Sequence, residues 1–210
     1  MAPQYIVIEG VIGVGKTTLA KLLARSLASD VLLEVVEENP FLQTFYADRA
    51  QYAFQTESFF LLSRYRQQLA TVQPAVGKHT LVSDYMFAKN RLFAGLNLQG
   101  DEWRLFLQLY DALSERVPQP DLVVYLQANV RTLMTRIAYR DRPFERNMEV
   151  AYIEQLRETY DRFFASYTES PLLMIQTDDL NLVNDEQAQQ AVMGRISAAL
   201  AGYQQGLLLP

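Results

Sequence analysis

Short apolar runs alternate along this chain with longer stretches whose apolar positions recur every three or four residues. Tyr5–Glu9 predicts a buried strand, and Lys16–Ala28 a helix after it. Val31–Val36 predicts a second strand, and Ala50–Thr71 a long helix. Thr80–Ser83 predicts a third strand, followed by a helix over Asp101–Arg116 that stops before Pro118 and Pro120. Leu122–Leu126 predicts a fourth strand and Val130–Tyr139 a helix. Ala151–Tyr167 predicts a helix, Leu172–Gln176 a fifth strand and Asp185–Ala201 a closing helix. Strands that alternate with helices imply a three-layer α/β sandwich: a five-stranded parallel sheet with helices on both faces. No repeat, low-complexity run or linker divides the chain, so residues 1–210 are expected to form one domain.

Composition narrows the chemistry. Half of the residues are hydrophobic and a fifth charged, which is enough for a sizeable core. The net charge of −5 gives no general footprint for nucleic acid or an anionic membrane. The absence of cysteine removes disulfides, thiolate nucleophiles and cysteine-bound metals. A single histidine, His79, in the loop before the third strand, makes a histidine metal cluster or a serine–histidine triad improbable. No apolar run is long enough to span a membrane, and the first strand follows Met1 too closely for a signal peptide. A cytoplasmic protein is expected.

The strongest motif is Gly10-Val-Ile-Gly13-Val14-Gly15-Lys16-Thr17, with Thr18 following. It fits G-x-x-x-x-G-K-[ST] and lies between a strand and a helix, where a phosphate-binding loop belongs. Glycines let successive backbone N–H groups face an anion, and the helix N-terminus adds partial positive charge. Lys16 can reach the β- and γ-phosphates, and the Thr17 hydroxyl suits Mg²⁺. This implies a nucleoside triphosphate, with the second substrate to be read elsewhere.

That reading starts from Glu34-Val-Val-Glu37-Glu38-Asn39-Pro40, Phe45-Tyr46, the run Glu57 to Ser63-Arg64, Ser83-Asp84-Tyr85 and Arg136 to Arg140-Asp-Arg142-Pro-Phe-Glu145. In this order the segments resemble the deoxyribonucleoside kinase family, and most of all its bacterial deoxyguanosine and deoxyadenosine kinase branch. The likeness runs from Ile6 to about Asp179. It implies a P-loop nucleotide-kinase fold, transfer of the γ-phosphoryl of ATP to the 5′-hydroxyl of a deoxynucleoside, Mg²⁺ as cofactor, and a homodimer. By position Glu34 matches the family's general base, and a carboxylate at a strand's carboxyl end stands where open α/β sheets bind ligands. Glu37 is its rival. Arg136, Arg140 and Arg142 resemble the mobile lid over the triphosphate, at about residues 136–146. Tyr46 matches the tyrosine on the sugar 3′-hydroxyl, Glu145 its acidic partner, and Phe93 an aromatic that stacks on the base. The loop Thr177–Leu180 follows the fifth strand, where this fold holds adenine.

Asp84 stands where the fold places an acidic residue near Mg²⁺, but the family's following arginine and serine are replaced by Tyr85-Met86. Either Arg64 or Lys89 takes over the arginine's place by the 5′-oxygen, or Lys89 contacts the base. Glu57 falls where many relatives carry glutamine, two helical turns before Arg64. Glutamine offers a donor and an acceptor, matching adenine or cytosine. An ionised carboxylate only accepts, matching guanine N1–H and N2–H₂, with Arg64 to reach O6. Deoxyguanosine is the expected substrate, with a deoxyadenosine or broad deoxynucleoside kinase as the alternative. A register two residues off would make Gln55 the base reader instead. A nucleoside monophosphate kinase is less expected, because Tyr85 stands where such enzymes often place an arginine. An inactive nucleotide-binding module sits poorly with Lys16, Glu34 and three lid arginines all present. Trp103 and the stripe Phe106, Leu109 and Tyr110 read as core or subunit interface.

Overall fold

The computed structural model describes residues 4–204. The first three and last six residues of the expected 1–210 domain lie outside it. Five parallel strands form one sheet in the order β2-β3-β1-β4-β5. They are β1 (Tyr5–Gly10), β2 (Asp30–Leu32), β3 (Leu81–Ser83), β4 (Leu122–Gln127) and β5 (Leu172–Gln176). β1 pairs with β3 on one side (Ile6 with Val82) and β4 on the other (Val7 with Val123). The connections therefore diverge at β1, and a crevice opens at its carboxyl end, where doubly wound sheets hold ligands. β1 is buried along its length and β4 nearly so, because helices cover both faces.

The helices are α1 (Lys16–Leu27), α2 (Leu42–Ala47), α3 (Arg49–Gln67), the short α4 (Gln73–Ala75), α5 (Lys89–Asn97), α6 (Gly100–Ser114), α7 (Val130–Arg140), α8 (Val150–Ala165) and α9 (Glu186–Gln204). A 3₁₀ turn, Pro143–Glu145, follows α7. One apolar core surrounds the sheet. A second gathers Leu42 and Phe45 from α2, Phe60 and Leu61 from α3, Ala94 from α5 and Phe106 from α6. It fixes these helices as a wall beside the crevice. Among the described residues no helix is long and apolar enough to cross a membrane.

Three expectations need correction. β2 ends at Leu32 rather than Val36, because its next backbone groups leave the ladder: Leu33 O accepts from Gln67 Nε2 at 3.1 Å, and Glu34 N–H donates to Asp84 Oδ1 at 2.8 Å. The long helix does not run unbroken to Thr71. It widens into a π turn at Gln68–Val72 and stops near Pro74. Helices α2 and α5 were not expected. α5 buries Lys89 and Asn90 beside Leu92 and Ala94, so its inward face does not read as apolar.

Candidate functional site

β1 delivers the chain into the phosphate loop, and Gly15 caps α1 with φ 107° and no side chain over the helix amides. Gly13 has φ 85°, and a Cβ there would stand 2.9 Å from Leu133 O and 2.8 Å from Ile137 Cγ1, so the loop lies directly on α7. Val14 is buried and its N–H closes the loop onto Val11 O at 3.2 Å. Lys16 folds back, donating to Gly10 O at 2.8 Å and Val11 O at 3.1 Å. Burial, with Lys89 next in weight, pulls its pKa down to about 8. Thr17 Oγ1 donates to Asp84 Oδ2 at 2.6 Å, and Thr18 follows half-buried in the first turn.

Below the loop lies a residue the sequence reading did not single out. Glu9 is fully buried and accepts from Gly10 N–H (2.8 Å), Met86 N–H (2.9 Å) and Tyr160 O–H (3.1 Å). It ties the start of the phosphate loop to the segment after Asp84. Burial pushes its pKa up. The signal for it was an acid inside an otherwise apolar strand.

Glu34 lines the crevice with Lys16, Thr17 and Asp84. Arg64 donates to its Oε1 from Nε at 2.8 Å and from Nη2, and Lys89 Nζ donates to Oε2 at 2.6 Å. Burial disfavours the Glu34 charge, yet Lys89 and Arg64 together hold its pKa well below the usual carboxylate range. Burial, reinforced by the nearby Glu34 charge, pushes Asp84 up. Lys89 thus stands beside Glu34, as Arg64 does. Tyr85 turns into the core, where its hydroxyl donates to Gln67 Oε1 at 2.9 Å. Glu37 and Glu38 are exposed, and Glu37 meets Arg142 at 3.3 Å.

Along α3, capped by Asp48 accepting from Gln51 N–H at 3.1 Å, Glu57, Phe60 and Arg64 share the face toward the crevice. Gln55 is exposed on the opposite face. Glu57 is only 2% exposed and accepts from Asn97 Nδ2 at 2.7 Å. Asn97 also donates to the Tyr152 hydroxyl at 3.3 Å. Burial pushes the Glu57 carboxyl up to about 7. The buried Thr56 hydroxyl, on the same wall, has no protein partner. Arg64 Nη1 donates to Asn90 Oδ1. Asn90 and Asn97 were not foreseen, because they lie on α5, whose inward face mixes polar and apolar residues, and Tyr152 was not, because on the aromatic inward face of α8 it reads as plain core. Phe93 lines the crevice with Lys89 Nζ 5.4 Å from its ring, and Tyr46 lies parallel to Phe144 at 6.4 Å.

The three arginines separate. Arg140 Nη2 donates to both oxygens of buried Glu145 at 2.6 Å, and Arg142 lies 3.8 Å from the same carboxylate. Both line the crevice. Arg136 does not join them over it. It donates to Val14 O (3.2 Å), Thr177 Oγ1 (3.0 Å), Thr177 O and Leu180 O (3.0 Å). The loop after β5 passes under this part of α7 and supplies those acceptors, so Arg136 braces the phosphate loop against Thr177–Leu180.

A glycine loop at a strand end, with Lys16, Thr17 and Asp84 on one side and a cation-held carboxylate facing them, defines a P-loop phosphotransferase of the nucleotide-kinase kind. Within that class the chain belongs to the deoxynucleoside kinase family, whose profile it matches over residues 6–201. It is 37% identical to a deoxyguanosine kinase of Bacillus subtilis over 177 residues, 83% of this chain and 86% of that one. It is 28% identical to a deoxyadenosine/deoxycytidine kinase of the same organism, over 94% of this chain and 93% of that one. A solved deoxyadenosine kinase from M. mycoides with bound dATP shares the fold, with TM-score 0.78 and 21% identity over 92% of this chain and 99% of that one. The protein is a deoxynucleoside kinase.

Proposed function

We propose that the preferred acceptor is deoxyguanosine, with ATP as donor and dGMP and ADP as products. The observation that carries this reading is Glu57: a buried carboxyl at the base end of the crevice, in the same wall as Arg64. Ionised, it accepts from guanine N1–H and N2–H₂ together, while Arg64 supplies a donor toward O6. The likeness to a deoxyguanosine kinase supports the same substrate.

In this reading Glu34 orients the 5′-hydroxyl and takes its proton. A carboxylate held ionised by Lys89 and Arg64 is a weak base, which suits a loose transition state in which the phosphoryl group draws little on the nucleophile. Lys16, Arg140 and Arg142 neutralise charge on the transferring group, the two lid arginines exchanging Glu145 for phosphate oxygens. Tyr46 and Glu145 hold the sugar, and Phe93 the base. Arg136 keeps the phosphate loop and the adenine loop in register. Thr17 Oγ1 and Asp84 Oδ2 bring two hard oxygens together at 2.6 Å, which fits Mg²⁺ completed by nucleotide and water oxygens. When bound, Mg²⁺ supplies charge neutralisation at the β- and γ-phosphates. The test is kcat/KM on deoxyguanosine, deoxyadenosine, deoxycytidine and thymidine with ATP. At about pH 8 deoxyguanosine is expected to lead, and a lead by deoxyadenosine or by either pyrimidine overturns the reading.

A further inference from the structure

Glu57 is buried like an interior residue but is not held like an interior charge. Its hydrogen-bond partner is the neutral amide of Asn97. The nearby cations Arg64, on its own helix, and Lys89, on α5, are both engaged by Glu34, on the segment after β2. From α2 it faces the Tyr46 phenol, beyond which Glu145 is paired with Arg140. From α8 it faces the Tyr152 phenol, whose ring carries Arg49 at 4.7 Å, itself paired with Glu149 at 2.6 Å. Among the described residues no cation lies within ion-pair distance of Glu57. Burial pushes its carboxyl up to about 7, opposed by the Asn97 hydrogen bond and, from beyond ion-pair distance, by Arg64 and Lys89. Both protonation states are therefore populated near neutrality.

The two states present different patterns. The carboxylate offers two acceptors, matching the adjacent N1–H and N2–H₂ of guanine. The carboxylic acid offers one donor and one acceptor, as glutamine does, matching adenine N1 and N6–H₂. We infer that Glu57 reads purines in both states, so that one pocket takes deoxyguanosine when the carboxyl is ionised and deoxyadenosine when it is protonated, with Asn97 setting the balance. This rests on Glu57 being the base reader. Asn97 is a positioning residue: its Nδ2 donor stabilises the ionised form, and its second contact, to Tyr152, fixes the amide's orientation. The proton balance is explicit. Deoxyadenosine binding to the ionised pocket takes one proton from solvent, and deoxyguanosine binding to the protonated pocket releases one.

The experiment measures kcat/KM for both purine deoxynucleosides from about pH 6 to about pH 8, a range in which neither base titrates, and takes their ratio. Because kcat/KM reports the free enzyme, titration of the phosphoryl-transfer machinery cancels in the ratio. The deoxyguanosine-to-deoxyadenosine ratio is expected to rise about tenfold per pH unit, since it follows the ionised-to-protonated ratio of one group. Glu57→Gln should give a flat ratio shifted toward deoxyadenosine. Asn97→Leu should move the wild-type curve to higher pH, by removing a donor to the charged form. Calorimetric titration with each nucleoside, in two buffers of different ionisation enthalpy, reads the proton directly and needs no turnover: uptake is expected for deoxyadenosine and release for deoxyguanosine. It decides the question on wild-type protein even if Asn97→Leu does not fold. A pH-independent wild-type ratio alongside a shifted Glu57→Gln ratio overturns the two-state inference and leaves Glu57 as base reader. An unchanged ratio in Glu57→Gln overturns the base-reading assignment itself.

Discussion

Glu34 and Glu37 show how one residue type takes different roles a few positions apart. Glu34 is held by Arg64 and Lys89 against the Asp84 segment, while Glu37 faces solvent and, among the described residues, pairs with Arg142 alone. Glu34→Gln should therefore lower kcat by about 10²–10⁴, the usual cost of removing a positioned base. Glu37→Gln should leave steady-state rates within a few-fold of wild type by the same measure. The reverse pattern would move the base to Glu37. The sequence left Glu57 and Gln55 as rivals, and helix geometry separates them. At 100° per residue, position 57 lies seven residues and about 20° from Arg64, whereas 55 lies nine residues and half a turn away. That geometry was available from the spacing, provided the helix continued past Arg64 unbroken, as it does. The Asn97 partner was not available, because sequence does not show which helices meet across a cavity. Lys89 was legible as a candidate only, since its choice between base and Glu34 depends on where α5 starts.

The phosphate loop was the most legible element because everything that defines it is local: a strand, glycines at fixed spacing, a lysine and a helix start. Its contact with α7 is not local. Gly13→Ala would place a Cβ 2.9 Å from the Leu133 carbonyl at positive φ, where no flexible side chain can yield. A loss of about 1–3 kcal/mol in stability is expected by denaturant titration, together with weaker nucleotide binding. Loss of neither would show that the loop does not rest on α7 as described. The lid was only partly legible. Positions 136 and 140 share a helix face, but the distant loop at Thr177–Leu180 captures the first of them. Arg136→Ala should consequently lower the thermal midpoint by about 2–4 °C and raise the KM for ATP. Arg142→Ala should lower kcat with little effect on the midpoint, whereas Arg140→Ala should lower both, because it leaves buried Glu145 without its close partner. An Arg136→Ala protein with normal stability and reduced kcat alone would return that residue to the lid.

In the molecule as a whole, the alternating pattern was enough to place five parallel strands, most plainly β1, β3 and β4, which are buried between helices and read as apolar runs, whereas the edge strands β2 and β5 keep exposed positions. Strand order was not legible. It places β1 between β3 and β4 and so sets the crevice where Glu34, Asp84 and the phosphate loop converge. The stripe on α6 divides: Phe106 is buried, with Trp103 stacked against it, while Leu105 and Leu109 stay 47% and 42% exposed and Leu62 of α3 52%. If two copies pair through the exposed leucines of α6, that apolar surface is covered. Light scattering should then report twice the 24.1 kDa chain mass, falling to one chain on Leu105→Glu with Leu109→Glu. A wild-type monomer would rule the pairing out.

In the proposed reading, a carboxylate in place of an amide turns the pocket toward guanine. The most direct test is competition: equimolar deoxyguanosine and deoxyadenosine with limiting ATP at about pH 8, where most of the Glu57 population is ionised, followed by quantification of dGMP and dAMP. Wild-type protein should yield dGMP in large excess. Glu57→Gln should lower that excess by an order of magnitude or more, the size expected from exchanging a charge-assisted pair for a neutral one. Equal product ratios from the two proteins, or excess dAMP from the wild type, would remove Glu57 as the source of a guanine preference.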